Sequence, residues 1–289
     1  MNITGFDYQR VPATDDVTLN VAVGGSGRPI VLLHGFPQTH LMWRHVAADL
    51  AADHTVIVPD LRGYGASDKP ADQGETYSKR AMAADVVAVA RALGHDRFAL
   101  AGHDRGALVA IRAGLDHPDT VTHLASLDVL PTLDMWNVMH GTTAAVGFHL
   151  YLMAQPPGLP EQLITASADA FFGHFLDIWA HGPDAIPADV RAEYLAASRN
   201  AVPSIVADYR ASASIDVEHD TADRKAGNQL QMPVTVLQQD WGAALGFDAR
   251  ALWQAWAPDL DHRTVSFGHF MAEQAPADVV KATHDLLSR

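Results

Sequence analysis

The chain has 289 residues, and 34 acidic against 20 basic side chains give it a net charge of −14. This balance argues against a nucleic-acid-binding protein, which needs a basic surface. Hydrophobic residues make up 48% and charged residues 19%, as in an ordinary globular protein. The absence of cysteine excludes disulfides, thiolate metal ligands and a cysteine nucleophile. Without an apolar run of membrane-spanning length or a signal-peptide core, we expect a cytoplasmic protein.

Short apolar runs alternate with helical patterns through the first half of the chain. Strands are predicted at residues 17–23, 29–33, 55–58, 97–101 and 121–127, and helices at 41–52, 78–93 and 106–117. The runs at 30–33 and 98–101 are continuously apolar, which is typical of strands buried on both faces by helices. The pattern predicts an α/β fold with a mostly parallel, doubly wound sheet.

The alternation stops after Pro131, and the chain to about residue 216 has helical spacing but no convincing strand. Strand and helix signals then return at 233–238, 249–257, 262–267 and 276–287. We therefore predict a core of residues 1–130 and 217–289, with residues 131–216 inserted as a helical cap. Residues 216–228 are charged and poor in apolar side chains, so they are interpreted as the nearest approach to a linker.

The most informative segment is a predicted strand that continues through Gly102-His103-Asp104-Arg105-Gly106 into a helix. A Gly-x-Asp-x-Gly turn at this place has the form of a nucleophile elbow, with aspartate instead of serine. The glycines permit a sharp turn, and the N-terminal end of the following helix favours an ionised carboxylate. Asp104 is therefore the candidate nucleophile, and the alternative is an aspartate that only caps the helix.

Two further segments supply groups for the same chemistry. His34-Gly35-Phe36-Pro37 follows a predicted strand, so the backbone amides of Phe36 and Arg105 are the candidate oxyanion-hole donors. His269 follows the last predicted strand and is the candidate base, because the order nucleophile, acid, histidine is then kept.

The acid that would orient His269 has two candidates. Asp128 ends the strand after the elbow, whereas Asp240 follows the predicted strand at 233–238. Both positions lie after a strand, so spacing alone leaves the choice open.

Seven segments together resemble the haloacetate dehalogenase family, whose best-known members are fluoroacetate dehalogenases. The resemblance covers most of the chain and is carried by residues 34–43 (HGFPQTHLMW), 60–70 (DLRGYGASDKP), 102–107 (GHDRGA), 127–132 (LDVLPT), 208–211 (DYRA), 218–220 (EHD) and 268–270 (GHF). It implies an α/β-hydrolase fold with a helical cap and a homodimer. It also implies that Asp104 is the nucleophile, Asp128 the acid and His269 the base.

The resemblance further implies a site for a substrate carboxylate. Arg105 matches one carboxylate-binding arginine of the family, whereas Leu108 stands where the family has a second. Arg112 lies one turn further along the predicted helix, where we expect a solvated side chain. Loss of one charged partner weakens carboxylate binding by roughly 1.5–3 kcal/mol.

The halide-binding residues that the resemblance implies are also only partly present. His149 and Tyr209 match donors that bind the departing halide, whereas Leu150 stands in place of a tryptophan. Because fluoride depends strongly on such donors, the leucines predict weaker selectivity for fluoride and a more apolar pocket. Tryptophans that are candidates to line it are Trp43, Trp136, Trp179 and Trp241.

The implied reaction needs no metal, nucleotide or redox cofactor, and its partner is a small-molecule substrate rather than a nucleic acid or a membrane. Asp104 displaces halide from an sp³ carbon and forms an ester, which water activated by His269 then hydrolyses. The nearest alternative is an epoxide hydrolase, in which Tyr209 pairs with Tyr151 to polarise the epoxide oxygen. A haloalkane dehalogenase is disfavoured because Arg105 would have no carboxylate to bind.

Overall fold

The computed structural model describes residues 1–14, 16–182 and 185–289. Its strands are β1 (Asp7–Pro12), β2 (Thr18–Gly25), β3 (Arg28–Leu33), β4 (His54–Pro59), β5 (Phe98–His103), β6 (Val121–Leu127), β7 (Val234–Gln239) and β8 (Leu260–Val265). They form one sheet in the order β1-β2-β4-β3-β5-β6-β7-β8. β2 pairs antiparallel with both β1 and β4, and the other neighbours are parallel. The predicted α/β class with a mostly parallel sheet is confirmed.

Helices connect these strands and fill the segment between β6 and β7. In chain order they are α1 (Arg44–Leu50), α2 (Lys79–Ala92), α3 (Arg105–Asp116), α4 (Thr132–Val138), α5 (Phe148–Met153), α6 (Leu159–Ala166), α7 (Ala168–Ile178), α8 (Ala188–Arg199), α9 (Val202–Ser212), α10 (Ile215–Ala226), α11 (Trp241–Leu245), α12 (Ala249–Gln254), α13 (Met271–Gln274) and α14 (Pro276–Leu287). Short 3-10 helices lie at His40–Trp43 and Thr142–Gly147. Throughout the described ranges, we find no helix long and apolar enough to cross a membrane.

Two apolar cores lie on opposite faces of the sheet. In β3, Val31 and Leu33 belong to the core that contains the buried faces of α2 and α3. Ile30 and Leu32 belong to the other core, with the buried faces of α1 and α14. Successive strand side chains point to opposite faces, so a strand covered on both sides must be apolar at every position. This explains the unbroken apolar run at 30–33.

Most predicted elements agree with the structure except for a few residues at their ends, and β6 and α14 agree at both ends. The sequence analysis missed β1, an edge strand whose side chains are mostly exposed and therefore show no apolar alternation. The interpretation of residues 216–228 as a linker is wrong, because α10 occupies most of them. Two aspartates on its buried face, Asp216 and Asp220, accept hydrogen bonds from the backbone N–H groups of Lys79 and Leu133, respectively. These polar contacts replace an apolar stripe.

Between β6 and β7 the described residues form helices α4 to α10 and one 3-10 helix, without a strand. Residues of this segment line a cavity together with residues that follow β5, β6 and β8. The helices therefore cover the carboxyl ends of the parallel strands. The division into a core and a separate cap at residues 131–216 stays a prediction.

Candidate active site

Asp104 lies at the turn between β5 and α3 and lines the cavity. Its φ of 48° is in the left-handed region, which side-chain-bearing residues rarely adopt. At Gly106, a Cβ atom would come within 2.4 Å of the backbone oxygens of Leu33 and His34. The turn therefore requires glycine there. It places the Asp104 carboxylate beside the positive end of α3.

The backbone amide of Phe36 contacts the carboxylate directly. Its nitrogen lies 2.8 Å from Asp104 Oδ1. The chain can approach so closely because Gly35 has no side chain, and a Cβ there would lie 2.5 Å from the Cβ of Asp104. The Arg105 amide belongs to the first residue of α3, where N–H groups have no partner within the helix. Oδ1 is thus held by backbone, and Oδ2 is the oxygen left to react.

Asp128, which follows β6, lies against His269. Its Oδ2 is 2.7 Å from His269 Nδ1 and accepts a hydrogen bond from the side-chain amide of Gln239. Its Oδ1 accepts hydrogen bonds from the backbone amide of Gln239 and from the Trp241 indole. Burial opposes ionisation, but His269 and Gln239 hold the pKa of Asp128 below its usual range. The other candidate acid, Asp240, is exposed and caps the first turn of α11. The structure therefore brings Asp128, and not Asp240, to the histidine.

The His269 ring is fixed on several sides. Its centroid lies 4.5 Å from that of His103 and 4.8 Å from that of Trp179, whose carbonyl accepts the His269 backbone N–H. Burial disfavours the imidazolium, but Asp128 and, less strongly, Asp104 raise the pKa of His269 above its usual value. Nε2 has no hydrogen-bond partner among the described residues. It is the ring atom free to accept a proton.

The Arg105 guanidinium is buried and already paired. Nε and Nη2 each lie 2.9 Å from a carboxylate oxygen of Asp208, and Nη2 also donates to Ser212. The guanidinium carbon lies 4.1 Å from the centre of the Tyr209 ring. The hydrogen bonds of the guanidinium to described residues use Nε and Nη2 and leave Nη1 without a partner among them, and Arg105 lines the cavity.

No second arginine and no lysine joins Arg105 at the described lining of the cavity. Leu108, where the family has arginine, lies on the wall and is buried. Arg112 is not on the wall: it binds Asp116 and Asp223 and is 2% exposed. The expectation that Arg112 is solvated is therefore wrong, since the cavity-facing row of α3 ends before it.

The two predicted halide ligands lie together on the cavity wall. The ring centroids of His149, on α5, and Tyr209, on α9, are 5.6 Å apart. Burial lowers the pKa of His149 to about 3 and raises that of Tyr209 well above its usual value. Both side chains are therefore neutral at pH 7. His149 Nδ1 and the Tyr209 hydroxyl have no hydrogen-bond partner in the described part of the chain.

Trp179 occupies a more central position than the sequence analysis gave it. Its ring centroid lies 5.2 Å from that of His149 and 4.8 Å from that of His269, and its buried Nε1 has no partner among the described residues. Trp136 and Trp241 also line the cavity, as does Leu150. Trp43 does not, because it packs in the core with α1.

One group of side chains elsewhere has atoms close enough to hold a metal ion. Ligand atoms of Asp53, His54 and His284 lie within 4.8 Å of one another. None of the three lines the cavity. This cluster therefore takes no part in the chemistry of Asp104.

The family model described as the alpha/beta hydrolase fold matches residues 28–276. The chain belongs to this family and is a hydrolase. It is 39% identical to a fluoroacetate dehalogenase of a Burkholderia species, over 98% of this chain and 94% of that protein. It is 32% identical to a soluble epoxide hydrolase of a Corynebacterium species, over 91% of each chain.

Solved structures also match this chain over nearly its whole length. A putative epoxide hydrolase from Pseudomonas aeruginosa superposes with a TM-score of 0.93 at 40% identity, covering 99% of this chain and 96% of that chain. A putative alpha/beta hydrolase from Nostoc sp. PCC 7120 gives 0.94 at 38% identity, with complete coverage of both. The resemblance to haloacetate dehalogenases is thus confirmed at the level of the family, and epoxide hydrolases are also similar.

Proposed function

We propose that this chain hydrolyses the carbon–halogen bond of short 2-haloacids through an ester of Asp104. The observation that carries the proposal is that the two oxygens of that carboxylate have different surroundings. Oδ1 is held by the Phe36 amide, whereas Oδ2 is available beside a cavity that also contains His269. A carboxylate so placed can attack an sp³ carbon without prior removal of a proton.

In the first step, Asp104 Oδ2 attacks the carbon that bears the halogen, opposite the leaving group. A C–O bond forms as the C–halogen bond breaks, and the halide leaves with the bonding electron pair. His149 and Tyr209 are the proposed donors to the halide, since His149 Nδ1 and the Tyr209 hydroxyl have no hydrogen-bond partner among the residues described. Arg105 Nη1 is the proposed donor to the substrate carboxylate.

In the second step, water attacks Cγ of the Asp104 ester. His269 Nε2 takes a proton from that water, and Asp128 stabilises the imidazolium that forms. Negative charge develops on Oδ1, which already accepts the Phe36 N–H, with the Arg105 amide as second donor. Collapse breaks the bond between Cγ and Oδ2, and the proton on His269 passes to the departing product oxygen to give the alcohol. The Asp104 carboxyl group then carries one oxygen from water and loses the second proton of that water to solvent.

An epoxide hydrolase is the second candidate, because relatives with that name are similar to this chain. The two-tyrosine arrangement that we predicted for it is not assembled. Tyr209 lines the cavity, but Tyr151 is 42% exposed, donates its hydroxyl hydrogen to the Met139 carbonyl and lies outside the wall. Of the two predicted tyrosines, Tyr209 therefore lines the cavity and Tyr151 does not.

The test is halide release from fluoro-, chloro- and bromoacetate, with styrene oxide hydrolysis measured beside it. We expect halide release that is lost in Asp104→Asn and kept in Asp240→Asn, a matched change of an exposed aspartate. One turnover in H₂¹⁸O should label Asp104. Diol formation from styrene oxide without halide release from any haloacid would overturn the proposal in favour of the epoxide hydrolase.

The homodimer implied by the resemblance is likewise a proposal. Large apolar side chains on the helices between β6 and β7 are exposed in the single chain, namely Phe148, Tyr151, Leu159, Leu163 and Ile178. Such a patch is typical of a surface that binds a partner. Light scattering on the purified protein measures the mass directly.

A further inference from the structure

The wall of the proposed active site is more apolar than a two-carbon acid requires. The cavity has a volume of about 110 Å³. Apolar side chains on its wall include Leu108, Leu130, Met135, Leu150 and Phe247. Haloacetate has a carboxylate, a halogen and one CH₂ group, so it offers little apolar surface to this wall.

The charges beside the nucleophile cancel before any substrate arrives. Asp208 binds both Arg105 and Lys79, and Lys79 Nζ also lies 3.7 Å from Asp216. All four side chains are buried, and two cations face two anions. The carboxylate of Asp104 adds a further negative charge. Arg105 and Lys79 therefore present to a substrate anion one guanidinium nitrogen without a described partner rather than a net positive site, and apolar contacts add to the binding.

On the basis of the proposed function, we infer that the preferred substrates are 2-haloacids with an apolar chain on the halogen-bearing carbon, such as 2-halobutanoate or 2-halohexanoate. The carboxylate accepts a hydrogen bond from Arg105 Nη1. The alkyl chain of the substrate covers Leu108 and its apolar neighbours. Burial of the chain replaces the attraction that a second cation would give, because apolar area removed from water stabilises the complex in proportion to that area.

The chain-length series tests this inference on the unmodified enzyme. Bromide release is measured from bromoacetate, 2-bromopropanoate, 2-bromobutanoate and 2-bromohexanoate, with each enantiomer assayed separately. We expect kcat/KM to rise about fourfold per added methylene until the cavity is full, which corresponds to about 0.8 kcal/mol per buried CH₂. A maximum at bromoacetate would overturn the inference but leave the proposed function standing. No bromide from any member would instead remove the proposed function.

Two further measurements test the apolar wall and the contact between Arg105 and the substrate carboxylate separately. Leu108→Arg should raise the efficiency with bromoacetate relative to 2-bromohexanoate by at least about tenfold, whereas Ala52→Arg, a change to arginine at an exposed position off the cavity wall, should leave the ranking unchanged. An unchanged ranking in Leu108→Arg would contradict the wall assignment. 2-Bromobutanamide should be at least about tenfold poorer than the acid. Equal efficiency would show that Arg105 does not bind the carboxylate.

Discussion

Two buried aspartates lie beside the cavity, and they differ in the groups that balance their negative charge. Asp128 is held mainly by neutral donors, and its one titratable partner is His269. Asp208 is held by two cations, Arg105 and Lys79. The first arrangement leaves a basic imidazole nitrogen facing the cavity. The second consumes positive charge that would otherwise act on a substrate.

The comparison separates the chemistry of the site from its specificity. Asp128 and Gln239 stand at the ends of neighbouring parallel strands, where backbone pairing fixes their positions, and His269 follows the next strand, β8. Asp208 stands on α9, which reaches the core through side chains. The nucleophile, acid and base are therefore placed by the sheet, whereas the proposed halide donors and the charge and polarity seen by the substrate are placed by the helices that cover it.

The largest expected effect is that of Asp128→Asn. The amide no longer stabilises an imidazolium and favours the wrong tautomer of His269, so kcat should fall by roughly 10⁴, as expected for a triad acid. The first step needs no base, and we expect the Asp104 ester to accumulate. Intact-mass spectrometry after mixing with bromoacetate measures the adduct. Rapid loss of that adduct would mean that Asp128 does not serve the second step.

Asp208→Asn tests the other aspartate through stability. It leaves Arg105 and Lys79 buried with one countercharge less, and breaking a buried pair in this way costs about 3–5 kcal/mol. Urea unfolding measures this free energy, with Asp240→Asn as the exposed control. A loss no greater than that of the control would contradict the charge cancellation on which the substrate inference depends.

The two regions also differ in how far the sequence predicts them. Asp104, Asp128 and His269 each follow a strand, and the carboxyl ends of parallel strands meet at one edge of a sheet. Their proximity follows from the predicted topology. The partner of Arg105 does not, because Asp208 lies 103 residues further along the chain on a helix. No periodicity specifies which helix residues face each other across such a distance, so the pairing emerges only with the tertiary structure.

The pH dependence distinguishes the titratable groups. His269 must be neutral to accept a proton from water, so the second step is lost as the pH falls through its pKa. Because Asp128 raises that pKa, the acidic limb of kcat should lie above pH 6.5, the usual value for histidine. His149, with its pKa near 3, adds no limb between pH 5 and 8. A limb at or below pH 6 in stopped-flow measurements of ester hydrolysis would contradict the assignment of His269.

The smallest expected effect separates two tryptophans that both line the cavity. The Trp241 indole lies 3.0 Å from Asp128 Oδ1, whereas that of Trp136 donates to the Ser212 carbonyl. Trp241→Phe removes one hydrogen bond that positions the Asp128 carboxylate, worth about 1 kcal/mol, so the second step should slow about fivefold. Its acidic limb should shift to higher pH, because a carboxylate with one donor fewer stabilises the imidazolium of His269 more strongly. Trp136→Phe should change KM and leave that limb in place. Equal pH profiles for the two variants would show that the Asp128 hydrogen bonds do not tune the base, and that its position alone sets the rate.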